Sequence, residues 1–557
     1  MRSGILEQSC RTIFFRHPKT KLIWSEAGQL DHWSNIRATS FGLWLNSTGN
    51  KPSINIATAT ETISSHTPNS TACYHPKLNM TSSQYLLAFL SLVVLAGNIL
   101  GEAAKCHPDD EAGLLGFKSG IQKDPSGLLK TWISGTNCCQ WNGISCYGAN
   151  STRVSDISVG GQLSDPNSYL SGTISPLILK LEYLDSIALQ GLKYLTGPFP
   201  EVFFKLPNLE YIYITDSQLS GFLPADIGNL TKLSSLQLEG NRFSGAIPSS
   251  IGKLTLLTQL NLGRNSFSGG LPSSLGSLKN LNYFNLAENQ LYGTIPDLFS
   301  SFSELRILNF SNNKFLGKIP TSMSSLAPKL QYLDLSHNAL TGAIPEFLGR
   351  FTTLDTLTLS WNGFTGIVPK SFVNLTKIFT LDLGHNYLID PLPQMKVIGI
   401  ESLDLSYNRF HLGEIPSWVT TSDILTSLKL AGCGIKIRLE DWKPKQTYFI
   451  DNIDLSDNEI SGSPVTLLNT TDYLKGFWAK GNKMQFKMDG LRIAKTLKYL
   501  DLSKNLVYGK LPVGVAKLAS LNVSYNHLCG QIPASSFPAS AFAGNDCLCG
   551  SPLPACK

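Results

Sequence analysis

The chain has 557 residues, 15% of them charged and 42% apolar, with a formal net charge of +6 from 46 basic and 40 acidic side chains. Charged residues fall well below the roughly 25% of an ordinary globular chain, while Gly (47) and Pro (29) are near average, which excludes a collagen and a long disordered tract. So small a net charge supplies no broad field for nucleic acid or an acidic membrane.

In chain order, residues 1–79 show no repeat and hold two isolated cysteines, Cys10 and Cys73. The run Leu86–Leu100, LLAFLSLVVLAGNIL, follows. It is short of the ~20 apolar residues that span a bilayer, but matches the core of a secretory signal. Met80 precedes it, and Gly101, Ala103 and Ala104 offer small residues for cleavage. Residues 80–104 are therefore read as a signal peptide, although TSSQ after Met80 lacks the usual basic residue. Residues 1–79 are read as a non-native or disordered leader. No later apolar run suggests a membrane span.

Eight of the eleven cysteines bracket the remaining chain: Cys106, Cys138, Cys139 and Cys146 at one end, and Cys529, Cys547, Cys549 and Cys556 at the other. Their spacings, CC-x6-C and C-x-C-x6-C, do not match the C-x2–4-C of zinc sites. They read as disulfides of a secreted protein. A vicinal Cys138–Cys139 bridge is strained, which favours Cys106–Cys138 with Cys139–Cys146; the matching choice at the other end is Cys529–Cys547 with Cys549–Cys556. An amphipathic stretch, Asp109 to Leu129, belongs to the first cluster.

Between the clusters the chain repeats with a period near 24 residues, as in LSSLQLEGNRFSGAIPSSIGKLTL from Leu233. One Asn per unit recurs at 241, 265, 289, 313, 338, 362, 386, 408, 458, 482, 505 and 526, with Cys433 in the corresponding slot between 408 and 458. So regular a period specifies a solenoid of leucine-rich repeats. LxxLxL makes a short strand with leucines inward, and stacking neighbours bury what one unit cannot. The Asn turns the chain and satisfies backbone groups; Cys433 reads as a ladder residue, not a reactive thiol. The SGxIP segment reads as a tight bend. The expected fold is an α/β leucine-rich-repeat solenoid with a parallel concave sheet of about 14–16 strands. Its boundaries are an N-terminal cap at 105–160, repeats at 161–528 and a C-terminal cap at 529–557, both caps stapled by disulfides.

The cap segment CCQWNGISC, the LxGxIP repeats and the ending LCGQIP…FAGNDCLCGSPLPAC resemble plant extracellular leucine-rich-repeat proteins across Cys106 to Cys556. The resemblance is nearest to the soluble, kinase-less group that includes polygalacturonase inhibitors and the DNA-damage-toleration proteins. It implies a right-handed arc that recognises ligands on its concave face. The chain departs from the inhibitors in having more repeats, and the units around Ile435–Tyr448 and Phe477–Met488 lose GxIP.

Sorted by register, the outward strand positions form columns. The middle one runs Tyr213, Gln237, Asn261, Asn285, Asn309, Asp334, Thr358, Asp382, Asp404, Lys429, Asp454, Trp478, Asp501. A flanking column before the Asn reads Arg264, Glu288, Asn312, His337, Trp361, His385, Tyr407, and a third holds Tyr211, Tyr283, Tyr332 and Tyr499. Exposed aromatic residues make interface anchors, so Tyr283, Tyr332, Asp334, Trp361, Asp382, His385, Asp404 and Tyr407 form the candidate binding surface. The plain alternative is that Asp and small polar residues merely solvate a sheet. Asp382 and Asp404 sit on adjacent strands at about the ~5 Å carboxyl spacing of a retaining glycosidase. Repetition alone produces that pair, however, and an open sheet is expected to lack a pocket that raises one carboxyl's pKa. With no HExxH, G-x-S-x-G or phosphate loop, neither catalysis nor a cofactor or metal is expected.

Sequons at Asn150, Asn229, Asn374 and Asn469 are the expected glycosylation sites; a glycan at Asn309 would block the concave face. The expected function is recognition in the cell wall, without catalysis. The ligand is an extracellular protein or peptide, such as a polygalacturonase or a receptor kinase, in defence or signalling. The alternative is a structural wall protein that binds pectin, against which the acidic middle column counts.

Overall fold

The computed structural model describes residues 105–147, 152–162, 164–397 and 399–556. The expected leader (1–79), the signal peptide (80–104) and the sequon at Asn150 lie outside the described residues. Each regular unit makes three short elements. In the unit from Leu233 these are the strand Ser235–Gln237, a second strand Arg242–Gly245 and a 3-10 turn Ser249–Lys253. Leu233, Leu236, Leu238, Phe243, Ile251 and Leu254 are fully buried. The same positions of every unit join one core that runs continuously from Leu114 in the N-terminal cap to Phe542 near the C-terminus.

The first strands build the concave sheet. Sixteen parallel strands, from Val154–Gly160 to Ser520–Asn522, each pair with the next along the chain, and Ile144–Cys146 adds an antiparallel edge. The register is in line from unit to unit: Asn309 faces Asp334, then Thr358, Asp382, Asp404, Lys429 and Asp454. The middle column read from sequence is thus a physical row of side chains.

The SGxIP segment is more than a bend. It carries the second strand of each unit, and these pair into an 11-stranded sheet from Ile121–Lys123 to Tyr387–Ile389. Stacking at a constant period sets each backbone beside its copy in the next unit, so pairing follows from the repeat and not from local β-propensity. Beyond Ile389 the sheet stops. Where the units lose GxIP only short pairings form, such as Ser461–Gly462 with Lys483–Met484.

Asparagine ties the units together. Asn386 Nδ2 donates to the carbonyls of Leu359 (3.0 Å), Leu383 (3.1 Å) and Gly384 (3.1 Å), while its Oδ1 accepts the N–H of Phe364 (3.0 Å). The carbonyl of Leu359 and the N–H of Phe364 belong to the preceding unit, so one side chain closes its own turn and staples it to its neighbour. Cys433 holds the slot more weakly, its Sγ donating to the carbonyl of Leu405 at 3.4 Å; burial pushes its thiol pKa up. Asn545 makes the same bonds, to the carbonyls of Val523 and Phe542 and from the N–H of Leu528. The ladder therefore continues inside the segment read as the C-terminal cap.

Both ends are closed. The amphipathic stretch is helical only over Pro108–Ser119; Ile121–Lys123 then turns into the edge strand of the second sheet. Asp110, fully buried, accepts two bonds from Arg153 and one from the N–H of Val154 (2.7 Å), fixing the helix to the first strand. Trp132 stacks on Trp141 and meets Phe117 at a tilt within the same cap. Disulfides join Cys106 to Cys138, Cys139 to Cys146, Cys529 to Cys547 and Cys549 to Cys556. Among the described residues no helix is long and apolar enough to cross a membrane.

The ladder predicts an asymmetry in mutational cost. Asn386→Ala strands four backbone groups and should cost about 3 kcal/mol, whereas Gln290→Ala, on an exposed strand position, should stay within about 0.5 kcal/mol. Urea unfolding monitored by circular dichroism measures both. Equal midpoints for the two variants would contradict the ladder's role.

Candidate functional site

The residue before each ladder Asn adopts a left-handed backbone. Arg264, Glu288, Asn312, His337, Trp361, His385 and Tyr407 have φ between 48° and 54°. This conformation costs a side chain-bearing residue of order 1 kcal/mol or more. It is held by a bond to the next unit: the N–H of Trp361 reaches the carbonyl of Gly384 (3.0 Å), that of His385 reaches Ser406 (2.7 Å) and that of Tyr407 reaches Ala431 (2.8 Å). The backbone is thus committed to stacking, and the side chains project along one rim of the concave sheet.

Four of these side chains are rings, and they stack. His337 and Trp361 lie 5.4 Å apart between centroids, Trp361 and His385 3.7 Å, and His385 and Tyr407 4.7 Å. Trp361 remains 50% exposed and Tyr407 45%, an uncommon exposure of large aromatic surface on four successive units. The ladder walls a cleft of about 630 Å³, whose floor holds Ser360, Asp382, Asp404, Ser406, Lys429, Asn452 and Asp454, and whose far end is Trp478.

The carboxylates of the floor differ. Asp382 accepts from Ser360 Oγ (2.7 Å) and from the N–H of Gly384 (3.0 Å). Burial, and then the charge of Asp404, push its pKa up to about 6. Asp404 accepts from the N–H of Ser406 (2.9 Å) and lies 3.4 Å from Lys429 Nζ. Burial also raises Asp454 and lowers His385. The expectation that an open sheet has no pocket able to raise a carboxyl's pKa is therefore corrected: burial in the cleft, together with Asp404, does so for Asp382.

Of the eight residues in the candidate surface, the cleft gathers Trp361, Asp382, His385, Asp404 and Tyr407. Tyr283, Tyr332 and Asp334 lie on earlier strands outside it. Tyr283 Oη accepts from Asn285 Nδ2 (3.4 Å), and Tyr332 Oη donates to Asp334 (3.5 Å); burial, and then the Asp334 charge, push the Tyr332 phenol up to about 12. His337, Lys429, Asn452, Asp454 and Trp478 join the cleft from the same register columns, which were the available signal for all but Asn452. Asn229 and Asn374 are exposed at the ends of 3-10 turns, away from the strands, whereas Asn469 Oδ1 accepts from the N–H of Arg492. A second depression, of about 680 Å³ and lined by Pro198, Phe199, Val202 and Phe204, lies beside Asn229 on the turn side.

Family models for the leucine rich repeat match residues 182–243 and 328–388, and further repeats at 256–278, 280–302, 304–326 and 399–421; the leucine rich repeat N-terminal domain matches 107–147. The chain thus carries leucine-rich repeats behind a leucine rich repeat N-terminal domain. It is 36% identical over 136 residues to the DNA damage-repair/toleration protein DRT100 of Arabidopsis thaliana, covering 23% of this chain and 36% of that one. Polygalacturonase inhibitor 2 of the same plant is 40% identical over 114 residues, 19% of this chain and 34% of the inhibitor. The alignments thus span about a third of these relatives. Among solved structures, the Arabidopsis receptor kinase HAESA, in complex with the peptide hormone IDA and the co-receptor SERK1, covers 80% of this chain and 98% of that one at 25% identity and a TM-score of 0.50. A TDR receptor covers 70% of this chain and 76% of its own at 28% identity, with a TM-score of 0.51.

The titration of Asp382 yields a stability signature. A carboxyl whose pKa rises from 3.8 to about 6 on folding adds stability that is complete below pH 3.8 and lost as pH rises through 6. Asp382→Asn should therefore melt higher than the parent at pH 7, and the two melting curves should converge by pH 4. Asn is already accommodated at this register, since Asn285 and Asn309 accept the same i+2 N–H. A constant difference between pH 4 and 7 would contradict the assignment.

Proposed function

We propose that the chain is an extracellular recognition protein that binds a peptide, or an extended segment of a protein, along its concave face, with no catalysis of its own. The observation that carries this reading is the stacked ladder His337–Trp361–His385–Tyr407 over a polar cleft. Rigid aromatic surface beside hydrogen-bonding groups is what an extended peptide needs for affinity and register. The likeness to HAESA, whose structure holds a peptide hormone, supports the peptide reading, and the polygalacturonase inhibitors support a wall-degrading enzyme as an alternative protein ligand. Four disulfides and exposed sequons fit the secretory route and the apoplast. A role in defence or signalling, as inhibitor or as co-receptor, belongs to the same reading.

Pectin suits this face poorly. Three carboxylates, Asp382, Asp404 and Asp454, stand against the single Lys429 in the cleft, and a polyanion requires the opposite balance. Catalysis is also a poor fit: Asp382 and Asp404 have their oxygens engaged by Ser360, Gly384, Ser406 and Lys429.

Selection of peptides from a display library on the purified chain, followed by titration, tests the proposal. Selected peptides should lose at least about tenfold in affinity for Trp361→Ala, or about 1.4 kcal/mol. They should be unaffected by substitutions at Val202 or Phe204. Peptides insensitive to Trp361→Ala, or retention on pectin alone that disappears at moderate salt, would overturn it.

A further inference from the structure

The flanking column has gaps. Its left-handed backbone continues through Gly240, Gly432 and Gly481, with φ of 70°, 64° and 68°, and Gly432 still donates its N–H to the carbonyl of Ser456 (2.9 Å). The rung is present in the backbone and missing only as a side chain. What stands in each gap differs. At Gly240 a Cβ would meet Asp216 Oδ1 at 2.5 Å, and at Gly481 it would meet Asp457 Oδ1 at 2.5 Å. At Gly432 the only heavy atoms within reach are Cδ1 and Cε1 of Tyr407, at 3.6 and 4.0 Å. That gap is the open end of the ring ladder, where the side of Tyr407 turned away from His385 has no rung to cover it.

The protein fills one of these gaps itself. Arg264, on the rung after Gly240, reaches back across it. Its Nη2 lies 2.9 Å from Asp216 Oδ1 and its Nε lies 2.9 Å from Glu239 Oε1. A guanidinium bonded to two carboxylates is thus what the column places over a missing rung. The gap at Gly432 is bordered by a ring, Tyr407, where Asp216 borders the gap at Gly240. The next rung, Asp457, turns its Oδ1 to Gly481, and the cleft floor holds Asp404 and Asp454 around one cation, Lys429, 3.4 Å from Asp404. Among the described residues neither Asp454 nor Asp457 makes an ion pair. The Tyr407 phenol registers these charges: after burial, Asp454, Asp457 and Asp404 push its pKa up.

The geometry points to the gap at Gly432 as the seat of an arginine side chain supplied by the ligand, its guanidinium stacked on Tyr407 and facing the carboxylate of Asp454. This rests on the peptide reading above and names the residue such a peptide carries. A planar cation matches both halves of the gap. It stacks on a ring as a missing rung would, and it offers paired N–H donors to carboxylates. A lysine ammonium offers charge without the plane, and a neutral ring offers the plane without charge.

The experiment titrates the full chain with Nα-acetyl-arginine amide, its neutral isostere Nα-acetyl-citrulline amide and Nα-acetyl-lysine amide, followed by ligand-observed NMR. The arginine amide should bind in the millimolar range, citrulline at least tenfold more weakly, and lysine between them. Gly432→His extends the ladder with a residue that His337 and His385 show to be compatible with this backbone, and it should abolish the arginine signal. Asp454→Asn should weaken it at least tenfold without adding bulk. Equal binding of arginine and citrulline, or no arginine binding at about 10 mM, would overturn the proposal, as would arginine binding indifferent to both variants. Display-selected peptides that need Trp361 but ignore Gly432→His would overturn this assignment alone and leave the peptide-binding function standing.

Discussion

The interaction on which the rest of the structure depends is the asparagine amide that bonds backbone groups of two adjacent units at once. A 24-residue unit contributes two strands of three to five residues and a single 3-10 turn, too little to bury its own leucines. The amide turns the chain sharply after the first strand and bonds four backbone groups, three carbonyls and one N–H, that no regular secondary structure satisfies there. Because the carbonyl of one unit and the N–H of the same unit meet the Asn of the next, the spacing between units is fixed as well as the turn within each. The in-line register of both sheets follows from that spacing.

The same turn explains where the binding chemistry lies. To bring the Asn inward, the preceding residue takes the left-handed conformation, and its N–H bonds to the next unit. Its side chain is then unneeded by the fold and is delivered to the rim at every repeat. Natural selection over that column is free to place arginine, glutamate, a ring or nothing. Where rings occupy four rungs in succession, repeat geometry stacks them without further design. Where glycine interrupts the column, the same geometry leaves a ring-sized space. Asp382 illustrates the converse: it is one of several Asp residues of the middle column, yet its burial and Asp404 on the next strand shift its titration.

Much of this was legible in the letters. The Asn period located the ladder, the LxL pattern located the concave strands, and the register columns brought Asp382, Asp404, Trp361, His385 and Tyr407 together before any coordinates. Three features were not legible, each for a physical reason. The second sheet arises from pairing between copies, and nothing in SGAIP by itself favours a strand. The ladder position of Asn545 was hidden by a shortened last interval, nineteen residues after Asn526, within a cysteine-rich segment that carries no LxxLxL pattern. The burial that shifts Asp382 belongs to the assembled cleft, which register alone does not specify. Tyr283 and Tyr332 show the limit of column reading: both face outward by register, yet neighbouring strands half-bury them.

The central claim is that ligand meets the concave face at the ring ladder. Hydrogen–deuterium exchange of the full chain with and without a captured peptide tests it directly. The account predicts that added protection is concentrated in the strands and turns at 356–362, 380–386, 402–408 and 427–433. Protection confined to the flank at 196–205, with the ladder segments unchanged, would contradict it.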